Sequence, residues 1–87
     1  MPVKAREWSG LDREAMRMVF EELGRMDDPP SLRALARGIG VSGPRVLDLR
    51  DGAHGTPTLD EFCDLCSLVG LDPVETLHEA MRRVGLG

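Results

Sequence analysis

The stretch LARGIGVSGPRVLDLRDG, residues 35–52, decides the fold of this chain. Ala36 is a small residue where two helices would cross closely, and Gly40, four residues later, can adopt the left-handed conformation of a tight turn. Val46 and Leu49, three residues apart, place two apolar side chains on one face of the next helix. This spacing predicts two short helices packed against each other across a turn, because it combines a small residue, a glycine and an apolar pair.

Serines precede both of these helices and predict where they begin. Ser31 can cap a helix expected over residues 32–38, and Ser42 can cap the next one. Pro44 fits the first turn of that helix because an amide there has no helical partner. The two helices and their caps define a helix-turn-helix unit at residues 31–52.

Three further helices are expected outside this unit. Ser9 can cap a first helix, which the prolines at positions 29 and 30 end. Thr58 begins a capping-box pattern, TLDE, that opens a fourth helix ending at Gly70. Asp72 opens a fifth helix that runs from Pro73 to about Arg83. The apolar stripe of the first helix comprises Leu11, Ala15, Met18, Val19, Phe20, Leu23 and Met26.

Length and composition point to one small globular domain. The chain has 87 residues, of which 41% are hydrophobic and 30% charged, as in folded rather than disordered proteins. No stretch shows the alternation of a strand, so we predict a compact all-α domain of five helices, with a flexible arm at 1–8 and a tail at 84–87. No apolar run is long enough to span a membrane, and the N-terminus lacks the apolar segment of a signal peptide, so we expect a cytoplasmic protein.

Charge is distributed unevenly along the chain. The net charge of −4 disfavours non-specific DNA binding, which depends on neutralising phosphates. Residues 31–52, however, carry four arginines against two aspartates, a net charge of +2. Residues 53–87 carry two arginines against six acidic residues. The helix-turn-helix unit is therefore the one positive segment.

The pattern LAxxIGVS at residues 35–42, followed by VxxL at 46–49 and Gly52, resembles the Cro/phage-repressor (XRE-type) family of helix-turn-helix regulators. The later PTL at 57–59 and GLDP at 70–73 are similar to that family's fourth and fifth helices. The resemblance implies a repressor-like, sequence-specific DNA-binding domain of bacterial, phage or prophage origin. It also implies that the third helix lies in the major groove and that a homodimer binds a palindromic operator.

Two positions depart from the family pattern. A glutamine common near the start of the second helix is Leu32 here, which removes a DNA contact. An acidic residue common two positions before the glycine that follows the third helix is Arg50 here, which adds a positive charge near the DNA backbone.

A helical wheel assigns the outward side chains of the third helix. With Val46 and Leu49 inward, the outward positions are those of Pro44, Leu47, Asp48 and Asp51, with arginines on the flanks. Asp48 could accept from a cytosine amino group and Leu47 could touch a thymine methyl. The residues predicted to face the bases are Gly43, Pro44, Leu47 and Asp48. The residues predicted to contact the DNA backbone are Ser31, Arg33, Arg37, Ser42, Arg45, Arg50 and His54.

The same outward face permits a second interpretation. Pro44, Leu47, Asp48 and Asp51 could form a docking surface for another protein regulator, and the acidic remainder of the chain suits a basic partner or a DNA mimic. A protein that heparin or bulk DNA does not retain at low salt would favour this alternative.

Other residues raise further possibilities. The pair Cys63 and Cys66 could bind zinc with His54 and His78. Because the pair lies within a predicted helix and the histidines are isolated, we expect two buried structural thiols instead, with no metal and no redox role. No catalytic set and no phosphate-cradling glycine loop can be distinguished from caps and surface charges, so neither an enzyme nor a cofactor is expected.

The two ends of the chain carry one hypothesis each. Leu77, Met81, Val84 and Leu86 continue the fifth helix with apolar residues, which indicates core packing or a two-fold interface of a homodimer. Lys4 and Arg6 could form a basic arm that reaches DNA, or simply belong to a disordered terminus.

Overall fold

The structure, a computed structural model, describes residues 6–86. Within that range the chain is helical, with no strand, and the all-α prediction is confirmed. The helices are α1 (Gly10–Arg25), α2 (Leu32–Ile39), α3 (Gly43–Asp51), α4 (Leu59–Val69) and α5 (Pro73–Arg83). The second helix runs one residue beyond its expected end. Lys4 of the hypothesised basic arm lies outside the described residues.

Each helix begins at the residue that the sequence predicts as its cap. The hydroxyl of Thr58 accepts from the Glu61 amide, and the Glu61 carboxylate accepts from the Thr58 amide, which completes the predicted capping box. Ser9 forms a second capping box with Asp12. The carboxylate of Asp72 accepts from two amides of the first turn of α5. These caps satisfy backbone donors that would otherwise have no partner.

Glycines end the two helices of the helix-turn-helix unit. Gly40 closes α2 with φ of 72°, and Gly52 closes α3 with φ of 70°. Both values lie in the left-handed region, where a Cβ atom would be strained. The predicted turn glycine is thus confirmed at Gly40, and Gly52 ends α3 in the same way, directly after its nine residues.

The core lies where α1, α4 and the helix-turn-helix unit meet. Val46 and Leu49 of α3 are completely buried, as the wheel predicts. Met16, only 2% exposed, is also in the core although the predicted stripe of α1 omits it. Since α1 packs against α3, α4 and α5, its buried face is wider than that of a helix with one neighbour.

The packing of the helices leaves one face of the helix-turn-helix unit uncovered. α2 packs on α3 and α4, and α3 packs on α1 and α2. No other described element covers the outward side of α2 and α3, where Arg33, Arg37 and Leu47 are exposed. None of the helices within residues 6–86 is long and apolar enough to cross a membrane.

At the C-terminal end, burial decreases along the predicted apolar row. Leu77 packs against the core and Met81 is half-buried, whereas Val84 and Leu86 are exposed. Core packing therefore explains the first part of the row. The exposed second part leaves the hypothesis of a two-fold interface open to experiment.

Candidate nucleic-acid interface

The outward side of α3 presents a small and mostly apolar surface. Gly43, Pro44 and Leu47 are exposed, and the Leu47 side chain projects from the middle of the helix with 37% of the residue accessible. Ser42 uses its hydroxyl as the N-cap, accepting from the Arg45 amide at 3.3 Å. The outward side of α3 therefore offers main-chain groups, a proline and a leucine at its N-terminal half, and no charged side chain there.

Asp48, at the C-terminal half of this surface, is paired with His54. The Nδ1 atom of His54 lies 2.8 Å from Oδ1 of Asp48. The side chain of His54 is 78% exposed, whereas that of Asp48 is 27% exposed. The structure thus brings together two residues that the sequence assigned separately, one to the bases and one to the DNA backbone.

The loop that carries His54 is fixed by hydrogen bonds to three consecutive carbonyls. The indole N–H of Trp8 donates to the His54 carbonyl at 2.8 Å. The guanidinium of Arg45 donates to the carbonyls of Gly55 and Thr56 at 2.8 and 3.0 Å. His54 itself has φ of 60°, an uncommon backbone conformation that this bonding holds in place.

Arg45 is joined to α4 as well as to this loop. Its Nε and Nη2 atoms donate to the two carboxylate oxygens of Glu61 at 2.8 and 2.7 Å, a bidentate pair. The hydrogen bond from Arg45 lowers the pKa of Glu61 although burial acts in the opposite direction. The same bond raises the pKa of Arg45. Glu61 also accepts from the Thr58 amide, so one carboxylate links the cap of α4 to α3.

These contacts give Arg45 a role within the protein that the sequence did not predict. Four of the five N–H groups of a guanidinium are used within the protein, by Glu61 and by two loop carbonyls. One N–H group remains for a phosphate, so the contact of Arg45 with the DNA backbone stays a prediction. Within the protein, Arg45 holds the loop after α3.

Arg50 is paired with its neighbour in the sequence. Its Nε donates to Oδ1 of Asp51 at 2.9 Å, and this hydrogen bond lowers the pKa of Asp51. Both side chains are about half exposed, at 46% and 54%. Such exposed pairs contribute little free energy, so the guanidinium of Arg50 can exchange Asp51 for a phosphate at small cost.

Arg33 and Arg37 differ from the other two arginines of the unit. Both are exposed, and neither forms an ion pair with any residue in the range 6–86. They are four residues apart, so they share one face of α2, away from the buried Leu35 and Ala36. At the start of the same helix Ser31 caps with its hydroxyl, accepting from the Ala34 amide at 3.1 Å. α2 thus supplies two positive charges that the described part of the protein does not compensate.

The cysteine pair does not form a buried unit. Cys66 is completely buried, and its burial raises the pKa of the thiol to about 11. Cys63 is exposed, so the expectation of two buried thiols is wrong for this residue. The reason is geometric, because the buried face of α4 follows Phe62, Leu65 and Cys66, and Cys63 lies about 100° around the helix from Phe62. Among residues 6–86, no three His, Cys, Asp or Glu side chains are placed to hold a metal ion.

The contact of Trp8 with the loop was missed from the sequence. Trp8 precedes the cap Ser9, and the guanidinium of Arg13 lies 5.9 Å from the centre of its ring. These two positions flank the capping box as the apolar pair of a hydrophobic staple does, here with a cation over an aromatic face. The spacing of Trp8 and Arg13 could have indicated their contact from the sequence. The hydrogen bond from Trp8 to the His54 carbonyl spans 46 residues and has no local signature.

Comparison with family models, with curated proteins and with solved structures found no match to this chain. The likeness to the Cro/phage-repressor family therefore rests on the LAxxIGVS motif and on the residues that follow it.

Proposed function

We propose that this protein binds double-stranded DNA through α2 and α3 and acts as a repressor-like regulator of transcription. The observation that carries the proposal is the pair Arg33 and Arg37, two exposed and uncompensated charges beside an uncovered α3. In the proposed complex, α3 enters the major groove and α2 lies along the sugar-phosphate backbone. The proposed regulator works in the cytoplasm as a homodimer, and its origin is bacterial or phage.

The charge pairs of the unit explain how an acidic protein can approach DNA. Arg45 is neutralised by Glu61, Arg50 by Asp51, and Asp48 accepts from His54. Each carboxylate of α3 therefore has a nearby hydrogen-bond partner. The unpaired positive charges of the unit are those of Arg33 and Arg37 on α2, and Arg50 can turn from Asp51 to a phosphate at close range.

Phosphate contacts by Arg33 and Arg37 give a defined salt dependence. Each phosphate neutralised contributes a slope of about −0.9 to the plot of log K against log salt concentration. The double variant Arg33→Ala/Arg37→Ala should therefore bind labelled random-sequence duplex more weakly, with a slope shallower by roughly 1.8. Fluorescence anisotropy over a series of salt concentrations measures both quantities.

A matched control removes the same charge from another surface. Arg25 and Arg82 are exposed and pair with acidic residues of α1 and α5. The variant Arg25→Ala/Arg82→Ala has the same net charge as the test variant but leaves α2 intact. Equal losses in the two double variants would show that α2 is not the DNA-contacting surface.

A second candidate function is docking on another protein. The observation that favours it is the outward face of α3, which presents Pro44 and Leu47 and has no cation free of an acidic partner among the described residues. A docking module would not be retained on heparin or bulk DNA at low salt, whereas the proposed DNA-binding protein would.

A further inference from the structure

We infer that Asp48 and His54 form a single base-reading unit whose target is an exocyclic amino group, N4 of cytosine or N6 of adenine, in the major groove. The inference rests on the proposed function and adds the chemistry that one position of the binding site requires. His54 is the positioning residue of the unit, and Asp48 makes the contact.

The hydrogen bond between the two side chains fixes the proton. A carboxylate can only accept, so Nδ1 of His54 carries the hydrogen and donates to Oδ1 of Asp48 over 2.8 Å. The other oxygen, Oδ2, has no hydrogen-bond partner within residues 6–86. One oxygen thus orients the carboxylate, and the other has no partner in the described part of the chain, while 27% of the Asp48 side chain is exposed.

Both residues are held on their backbone sides as well. The carbonyl of Asp48 accepts from the amide of Gly52 and, at 2.9 Å, from that of Ala53, which close the helix. The carbonyl of His54 accepts from Trp8. His54 has a left-handed backbone, which costs a side-chain-bearing residue free energy that the surrounding contacts must offset, and its ring lies against Asp48 of α3. The geometry is therefore set before any ligand arrives.

The pairing reduces the electrostatic repulsion between an acidic residue and the phosphates of a DNA groove. A free carboxylate is repelled by phosphates, whereas a carboxylate that accepts from an imidazole has part of its charge offset. Its remaining oxygen accepts hydrogen bonds and donates none. In the major groove it is satisfied by the amino groups of cytosine and adenine and opposed by O6 of guanine and O4 of thymine.

The test uses a pool of random duplexes enriched by the wild-type protein. The winning duplex is then remade with each of the four base pairs at every position, and binding is measured by anisotropy. We expect one position at which cytosine or adenine is preferred by roughly ten- to hundredfold over guanine and thymine on the same strand. Asp48→Ala should abolish that preference and leave the other positions unchanged.

Further variants separate reading from folding. Asp48→Asn keeps the shape of the side chain and should move the preference toward adenine. Adenine both accepts a hydrogen bond from an amide and donates one to it. His54→Ala should weaken the preference at the same position, which a purely structural residue would not do. Asp51→Ala, a neighbouring carboxylate without contact to His54, should keep the preference.

The outcomes test DNA binding, base reading by Asp48 and positioning by His54 separately. If no duplex is enriched by the wild type, both the proposed function and this inference fail. If a duplex is enriched but Asp48→Ala retains the full base profile, DNA binding stands and the base-reading role of Asp48 is refuted. If Asp48→Ala loses the preference and His54→Ala keeps it in full, the two residues are not one unit.

Discussion

Replacing Arg45 by alanine should destabilise the protein far more than any other arginine substitution in the helix-turn-helix unit. The Arg45 and Glu61 side chains are 21% and 11% exposed, so the pair is largely shielded from water. Removing one partner of a buried pair costs about 3–5 kcal/mol, because the other charge is left without compensation. Partial exposure reduces that cost, and the lost bonds to two loop carbonyls add to it. We expect a loss of about 3 kcal/mol.

That loss is large enough to measure by thermal or urea denaturation followed by circular dichroism. In a domain of this size, 1 kcal/mol corresponds to about 4–8 °C in the melting temperature, so Arg45→Ala should melt roughly 12–24 °C below the wild type. Arg33→Ala is the matched control, since an exposed substitution away from such contacts stays within about 0.5 kcal/mol. The double variant Arg45→Met/Glu61→Leu should recover much of the loss because no uncompensated charge remains.

The reasoning is refuted if Arg45→Ala is as stable as Arg33→Ala. In that case the bonds of Arg45 would contribute no net free energy, and its guanidinium would be available for DNA phosphates as the sequence first indicated.

Three further predictions concern protonation, thiol chemistry and the backbone. Because Arg45 lowers the pKa of Glu61 from its ordinary value of 4.5, this carboxylate stabilises the fold above that pH and ceases to do so as the pH falls through the lower folded value. The stability gap between wild type and Arg45→Ala should therefore be full at neutral pH and narrow below about pH 4.5, as denaturation at several pH values will show; a constant gap would contradict the pairing. Cys63 should react with a thiol reagent in the native protein, while Cys66, with its pKa of about 11, should react only on unfolding. Gly24→Ala should raise the free energy of unfolding by about 0.5–1 kcal/mol, because Gly24 is helical and a Cβ there meets nothing within 4 Å.

The sequence predicts this fold well because the decisive signals are local. A cap such as Ser31 or Thr58 acts on amides two or three residues away, so its partner can be found by counting. The turn at Gly40 requires a backbone conformation that glycine alone adopts freely. These signals place all five helices within residues 6–86, and the inward positions of α3 then follow from helical periodicity.

The interface is harder to predict because its contacts join distant parts of the chain. Arg45 and Glu61 are 16 residues apart and lie on different helices, so only the packed fold shows that the arginine is used internally. The same holds for Trp8 and His54. A helical wheel places a side chain on a flank of the helix but does not show its partner, so the internal role of Arg45 could not be predicted from the sequence.

Three of the four arginines of the unit therefore separate into two groups that the composition treats as equal. Arg45 contributes to the stability of the loop after α3, while Arg33 and Arg37 contribute positive charge to the outward surface of α2. If this separation is correct, substitutions in the two groups should change the melting temperature and the salt slope of DNA binding independently. Arg45→Lys, which keeps the charge but loses the bidentate geometry, should lower the melting temperature and leave the salt slope of DNA binding unchanged at temperatures where it is folded. The Arg33→Ala/Arg37→Ala variant should show the opposite pattern, and the separation is wrong if stability and salt slope change together in both variants.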